Sequence, residues 1–230
     1  MRFGMVAPMG AVSCRVMRAG SMSSVPNRAL SFWEVLKYGF PHFWLSREVA
    51  LWRLKNLPNL MRGLWRVVVA SVLGIATHYG QVSLVKIAAN GRVVDYGLAS
   101  LRVVTDTGVG FIVDGFQNLV ELENMKYHGL GTGSTAEAAS QTALVTELTT
   151  QYNPDSTRAT GTTTENGAST YRTVGTNTVD AAAAVTEHGI FSQAATGGGV
   201  MLDRSVFSAI NLANGDSLQT TYDLVFTSGS

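Results

Sequence analysis

Across residues 125–230 the chain alternates apolar with polar side chains and breaks that alternation at glycine turns, a rhythm that commits the stretch to antiparallel β structure. In its last run, Leu218, Thr220, Tyr222, Leu224 and Phe226 fall on one face and Gln219, Thr221, Asp223, Val225 and Thr227 on the other. Leu202, Val206 and Ile210 lie on a related alternation that Arg204 interrupts. Asn166-Gly167, Thr196-Gly197-Gly198-Gly199 and Asn214-Gly215-Asp216 supply turns between the runs. The threonines from Thr157 to Thr178 favour extended backbone while leaving one face wettable. Charged residues are 14% of the chain, below the ~25% of an average soluble domain, and the 46% apolar content excludes wholesale disorder. The fold expected is mainly β, an antiparallel β-sandwich or jelly-roll-like C-terminal domain behind an α-helical N-terminal segment.

With 230 residues there is room for one large domain or two small ones. The expected division is a loose arm over residues 1–28, a basic, Trp-rich helical anchoring segment over 29–80, and an antiparallel β domain over 81–230 with a short helix at about 106–118. The arm is punctuated by Pro8 and Pro26, and its five methionines allow a natural start further downstream. Ser31 and Glu34 form a capping box for a helix that Pro41 should end. Ser46 can cap a second helix through Leu51, Trp52 and Lys55, stopped near Pro58. Asn59 can cap a third, in which Met61, Leu64, Trp65, Val68 and Val72 fall at spacings of three and four. It runs into an apolar stretch at 67–77, shorter than the ~20 residues a membrane span needs. That stretch matches the ~7 to 15 residues of a signal-peptide core, but it begins over sixty residues into the chain and lacks a small-x-small cleavage site. A helix packed on protein is expected. Asn90-Gly91 marks a hairpin between two strand-like runs, expected as a two-stranded ribbon, and Asp106 can cap the short helix through Val109, Ile112, Val113 and Phe116.

Charge divides the chain unevenly. Residues 1–103 carry thirteen Lys and Arg against Glu34, Glu48 and Asp95, whereas residues 104–230 carry four basic residues against thirteen acidic ones. Such a split suits a basic segment that contacts something anionic, or the acidic part of a neighbouring copy. The interleaved Arg and Trp could neutralise phosphates and stack on bases. At helical spacing they are more economically an assembly surface, because both types are enriched at interface hot spots. The candidate anchoring residues are Trp33, Trp44, Trp52, Arg53, Arg62, Trp65 and Arg66. Neither nucleic acid nor membrane is the expected partner.

Chemistry-bearing motifs are sparse. The cluster GLGTGST at 129–135 has Ser134 where a dinucleotide fingerprint needs its third glycine, and no lysine follows to make a phosphate loop; a bend between strands is expected. His128 and His188 sit in similar settings, YHGLG and EHGIF, and would bind metal only with further ligands, for which Glu187 and Asp180 are generic candidates. Solvent-facing or hydrogen-bonded strand histidines are expected instead. Glu121 and Glu123 would share a face if extended, the minimum equipment for glycan hydrolysis. No G-x-S-x-G, H-E-x-x-H or C-x-x-C occurs, and Cys14, the one cysteine, permits no intrachain disulfide. No enzyme activity, cofactor or metal is expected.

Four segments carry a resemblance: a Gly-Thr-Gly turn, small residues and TAL at 131–144; T-E-x-G-[IL]-F at 186–191; [LM]-x-R-x-x-F at 202–207; and D-x-[LI]-Q-x-T-Y-x-L at 216–224. Over about residues 92–230 the chain resembles a family of tailed-bacteriophage virion structural proteins. In that family the position of His188 varies and is often apolar. The resemblance implies a β-sandwich repeated on a particle, decorating or cementing the capsid or belonging to the tail or its fibres. Implied partners are the chain itself, as a homo-oligomer expected to be a trimer, and major capsid or tail proteins. A host surface glycan is the alternative partner, with Tyr127, Tyr152 or Tyr171 exposed beside a cleft as its mark.

Overall fold

A computed structural model describes residues 46–75, 77–102 and 104–228. The arm at 1–28, the Ser31 helix, Trp33 and Trp44 lie outside these. The described residues form helix α1 (Arg47–Val72), strands β1 (Thr77–Ile87) and β2 (Val93–Arg102), helix α2 (Asp106–Phe116), a 3-10 turn (Leu122–Asn124), and strands β3 (Tyr127–Gly131), β4 (Ala159–Thr160), β5 (Thr162–Glu165), β6 (Thr170–Thr178), β7 (Ala183–Phe191), β8 (Met201–Leu212) and β9 (Ser217–Thr227). The fold is mainly β, with two antiparallel sheets: β2-β1-β9-β6-β5 and β4-β3-β7-β8. One apolar core joins them, drawing Val82 and Leu84 from β1, Leu218 and Tyr222 from β9, Leu130 from β3, Ile190 from β7 and Ile210 from β8.

β9 buries Leu218, Thr220, Tyr222 and Leu224 on the face its alternation marked, and it is the central strand of the larger sheet. The turn after β1 brings the chain round at Gly91, whose φ of 82° is the left-handed value glycine tolerates. The expected two-stranded ribbon of β1 and β2 is present, from Gly80 opposite Arg102 to Ile87 opposite Val93, and it is built into the larger sheet. β1 pairs with β9 from Thr77 opposite Thr227 to Ile87 opposite Ser217, because a lone ribbon would leave Val82 and Leu84 in water. Arg204, which interrupts the apolar alternation of Leu202, Val206 and Ile210 in the sequence, is buried with its neighbours. β8 is buried on both faces from Met201 to Phe207, and a register shift opposite residues 185–187 separates Val206 from the phase of Ile210. The glycine cluster at 129–135 divides: Gly129 to Gly131 belong to β3, and the chain leaves the strand over 132–135 with a bend at Thr135.

One helix replaces the two expected on either side of Pro58. Pro58 falls inside α1 on its exposed face, where water can satisfy the carbonyl that loses its amide partner. The opposite face decides the matter. β2 and β8 are edge strands of the two sheets, and α1 lies along both. Asn56, 2% exposed, donates to Ala99 O of β2 at 2.7 Å and accepts from Ser208 N of β8 at 2.9 Å. Trp52 donates to Ser208 O at 2.7 Å and packs on Tyr96, while Arg53 donates to Tyr96 O. Gly63 lets the helix close in, because a Cβ there would overlap Leu101 O. Asn59, expected as a cap, donates instead to Asn56 Oδ1. At the other side the chain steps from β4 to β5 through Gly161, so the two sheets are closed there by their own connection. Likewise α2 is capped by Thr105 and not by Asp106: Thr105 Oγ1 accepts from Gly108 N at 3.0 Å.

Asn56→Ala removes the partner of two edge-strand backbone groups at once. It is expected to cost about 3 kcal/mol in urea unfolding and to accelerate amide exchange along residues 47–72. An unchanged midpoint would show that α1 docks through apolar contacts alone.

Candidate functional site

Antiparallel register turns residues 128 and 130 of β3 and 188 and 190 of β7 to the same side, making His128 and His188 diagonal neighbours facing the larger sheet. His128 Nδ1 lies 3.1 Å from His188 Nε2, and both rings are fully enclosed. His128 Nε2 reaches Thr173 Oγ1 of β6 at 3.3 Å, and its backbone carbonyl accepts from Asn177. Gly161 and Gly175 leave the space the His128 ring fills; a Cβ at either would overlap it. Beyond His188, β8 contributes Asp203, which accepts from Ser205 Oγ at 3.3 Å and from the Tyr222 hydroxyl at 3.5 Å. Two polar groups thus lie in the apolar space between the sheets, one of His128, His188 and Thr173 and one of Asp203, Ser205 and Tyr222, with the His188 and Tyr222 ring centroids 6.4 Å apart.

Its chemistry is set by burial. Loss of solvation lowers His128 from 6.5 to about 3 and puts His188 well below its ordinary value, the neighbouring imidazole adding to the latter. Two neutral rings share one proton across the 3.1 Å gap. Burial raises Asp203 from 3.8 to about 7, against the lowering effects of Ser205 and Arg102. The histidines alone make an incomplete metal site, and among the described residues no three His, Cys, Asp or Glu side chains are grouped to hold an ion.

These shifts fix the sign of the acid response. Below 6.5 the unfolded chain protonates both histidines and the folded chain neither, so the stability they confer is lost as pH falls. Asp203 acts oppositely: between 7 and 3.8 the folded state keeps a proton that the unfolded state has lost. Two protons against one leave a net loss on the order of 1 kcal/mol per pH unit below 6.5. Urea unfolding across pH 6.5 to 4 is expected to show that slope, flattened by His188→Gln and roughly doubled by Asp203→Asn. Equal slopes in all three proteins would exclude this network as the source.

The other face of the smaller sheet carries a second polar cluster beneath residues 132–158, which have only isolated bridges for regular structure. Glu187, wholly buried, accepts from Gly133 N at 2.9 Å, Thr146 N at 2.8 Å, Val145 N at 3.1 Å and Arg204 Nε at 2.7 Å. Arg204 also donates to Thr135 O and Gln141 Oε1. Arg158 repeats the pattern: paired with Glu147, it lies 3.5 Å from the Phe191 ring centroid and donates to Gln193 O and Gly198 O. Arg102 pairs with Glu137, which also accepts from Val206 N. The amides held by Glu187, the groups held by Arg204, the Arg102–Glu137 pair and the bonds of Arg158 to Gln193 and Gly198 therefore fasten an otherwise irregular segment over the sheet. Glu187→Gln is expected to cost about 3 kcal/mol, as breaking a buried pair does, and to open residues 132–158 to limited proteolysis before global unfolding.

The remaining candidates separate. Glu121 precedes a 3-10 turn that contains Glu123, so they do not share an extended face, and Asp180 is exposed, away from the histidines' enclosed space. Tyr152 is not a surface tyrosine; its hydroxyl bonds Leu130 N and O in the core. Tyr127 is half-buried, and Tyr171 donates to Met125 O and borders a shallow groove with Ser169, Thr170 and Phe226. Trp52 is buried with its ring nitrogen on Ser208 O of β8, and the half-buried Arg53 donates to Tyr96 O of β2. Arg62, Trp65 and Arg66 point outward on α1. No described helix is long and apolar enough to cross a membrane. Searches of protein-family models, curated proteins and solved structures returned no match.

Proposed function

We propose that this chain is a structural component of a tailed-bacteriophage particle, a capsid decoration or cement protein whose body is a β-sandwich and whose basic N-terminal helices anchor it. One observation carries the proposal: the short motifs behind the family resemblance act together in space. T-E-x-G-[IL]-F contributes Glu187 and [LM]-x-R-x-x-F contributes Arg204, the two halves of one buried ion pair. The D-x-[LI]-Q-x-T-Y-x-L motif contributes Tyr222 to the core, and Asp216, which pairs with Lys86 and caps the turn before β9. Motifs that share a structural task are what a common fold would preserve. The outward Trp65 and Arg66 support an assembling role for α1. In this reading the protein acts by repetition and contact with capsid proteins and copies of itself.

The tail or fibre alternative, with a glycan-binding sandwich, draws on the groove beside Tyr171 and Phe226. Mass spectrometry of purified particles tests both. Hundreds of copies per particle are expected for decoration, whereas a few to a dozen indicate a tail or fibre. Absence from particles overturns the virion reading.

A further inference from the structure

Two exposed surfaces of this body match each other in shape of chemistry and oppose each other in charge. On α1, Leu54, Leu57, Met61, Leu64, Val68 and Val72 recur at threes and fours and are all exposed, on the side away from Val49, Trp52 and Asn56. Trp65 joins that stripe at 69% exposure. Lys55, Arg62 and Arg66, at spacings of seven and four, form a basic flank. The stripe covers about 27 Å of helix at 1.5 Å per residue. Such a continuous apolar row on a charged helix is an interaction surface more than a tolerated exposure.

The second surface lies on α2 and the turn after it. Val109, Val113 and Phe116 share one face of α2, with Phe116 81% exposed, and Leu119 and Leu122 extend the patch. Asp106 lies on the same face, and Glu121 and Glu123 lie exposed beside Leu122. Residues 104–124 contain four acidic side chains and no basic one, while α1 contains five basic side chains and one acidic. The lone acid of α1, Glu48, is already paired with Arg92.

We propose that α1 of one copy docks on the α2 surface of a second copy, so that the chain assembles head to tail. Charge complementarity selects this occupant. An antiparallel pairing of α1 with α1 would set the basic flank against itself. Residues 1–45 of the same chain are also basic, with Arg2, Arg15, Arg18, Arg28 and Lys37 against Glu34. An anionic membrane would suit α1 alone but leaves the acidic apolar patch unused and faces a body whose residues 104–230 are nine charges negative, thirteen acidic against four basic. A heterologous contact of this kind closes into a ring or continues as a filament. The inference concerns the free protein and does not require the particle reading.

Sedimentation velocity of the full chain is expected to show concentration-dependent assembly that weakens as salt rises. The double substitution Arg62→Glu with Arg66→Glu, and separately Glu121→Lys with Glu123→Lys, should each weaken assembly at least tenfold without changing the unfolding midpoint. Mixing the two variants in equal amounts should restore it, because every α1 then meets an α2 surface of opposite charge. In a Cys14→Ser background, Trp65→Cys mixed with Phe116→Cys should give an interchain disulfide when oxidised glutathione is added as the electron acceptor, a second measure that is independent of the charge variants. The proposal is overturned by a monomer at all concentrations, by failure of the mixture to reassemble, by unaltered assembly of the Glu121/Glu123 variant, or by monomeric binding to phosphatidylserine vesicles.

Discussion

The carboxylate of Glu187 is the point on which most of this body depends. A buried charge is costly, and it is tolerated here because four donors meet its two oxygens: Arg204 and the amides of Gly133, Val145 and Thr146. Arg204 comes from the neighbouring strand, so the pair spans β7 and β8, while the amides draw a segment without regular structure onto the sheet. A hydrophobic pair of the same volume could give equal stability. It could not dictate where residues 133, 145 and 146 go. The ion pair therefore defines a cover for the outer face of the smaller sheet, and Phe191, Met201 and Leu144 pack under that cover.

Closing the remaining boundary falls to α1. Edge strands expose unpaired amides and carbonyls that invite other strands. Asn56, Trp52 and Arg53 answer those of β2 and β8 with side chains instead of a further strand. A helix used in this way has one face committed and one free. Meanwhile Arg158 and Arg204 are buried against Glu147 and Glu187, and the part-exposed Arg172 pairs with Asp223. What the body shows to solvent is accordingly acidic, and what α1 shows is basic and apolar. The charge asymmetry of the linear chain thus becomes an asymmetry of surfaces.

Much of the fold was legible because it is local. The period of two in β9, the turn at Gly91 and the helix beginning after Ser46 each depend on neighbours within a few residues. Pro58 misled because its cost is local while its compensation is not: the bonds that dock α1 beside it, made by Asn56, reach Ala99 and Ser208. Arg204 misled in the same way. A charged residue in phase with apolar neighbours is itself a signal of a buried pair, yet nothing in the linear order points to Glu187 as its partner. The similar settings of His128 and His188 were visible, but their approach required the β3–β7 register and the shallow floor that Gly161 and Gly175 provide.

The sequence by itself determined a glycine-punctuated β body, its helical forepart and the opposite charges of the two, since composition and short-range periodicity carry all three. Only the tertiary structure decided which charges are buried and which are displayed. That distinction separates Arg204 and Arg158 from Arg62 and Arg66, and Trp52 from Trp65, although each set is chemically alike. The physical reason is that desolvation depends on the surroundings assembled from distant segments, and the same side chain is a buried tie in one setting and a free surface in another.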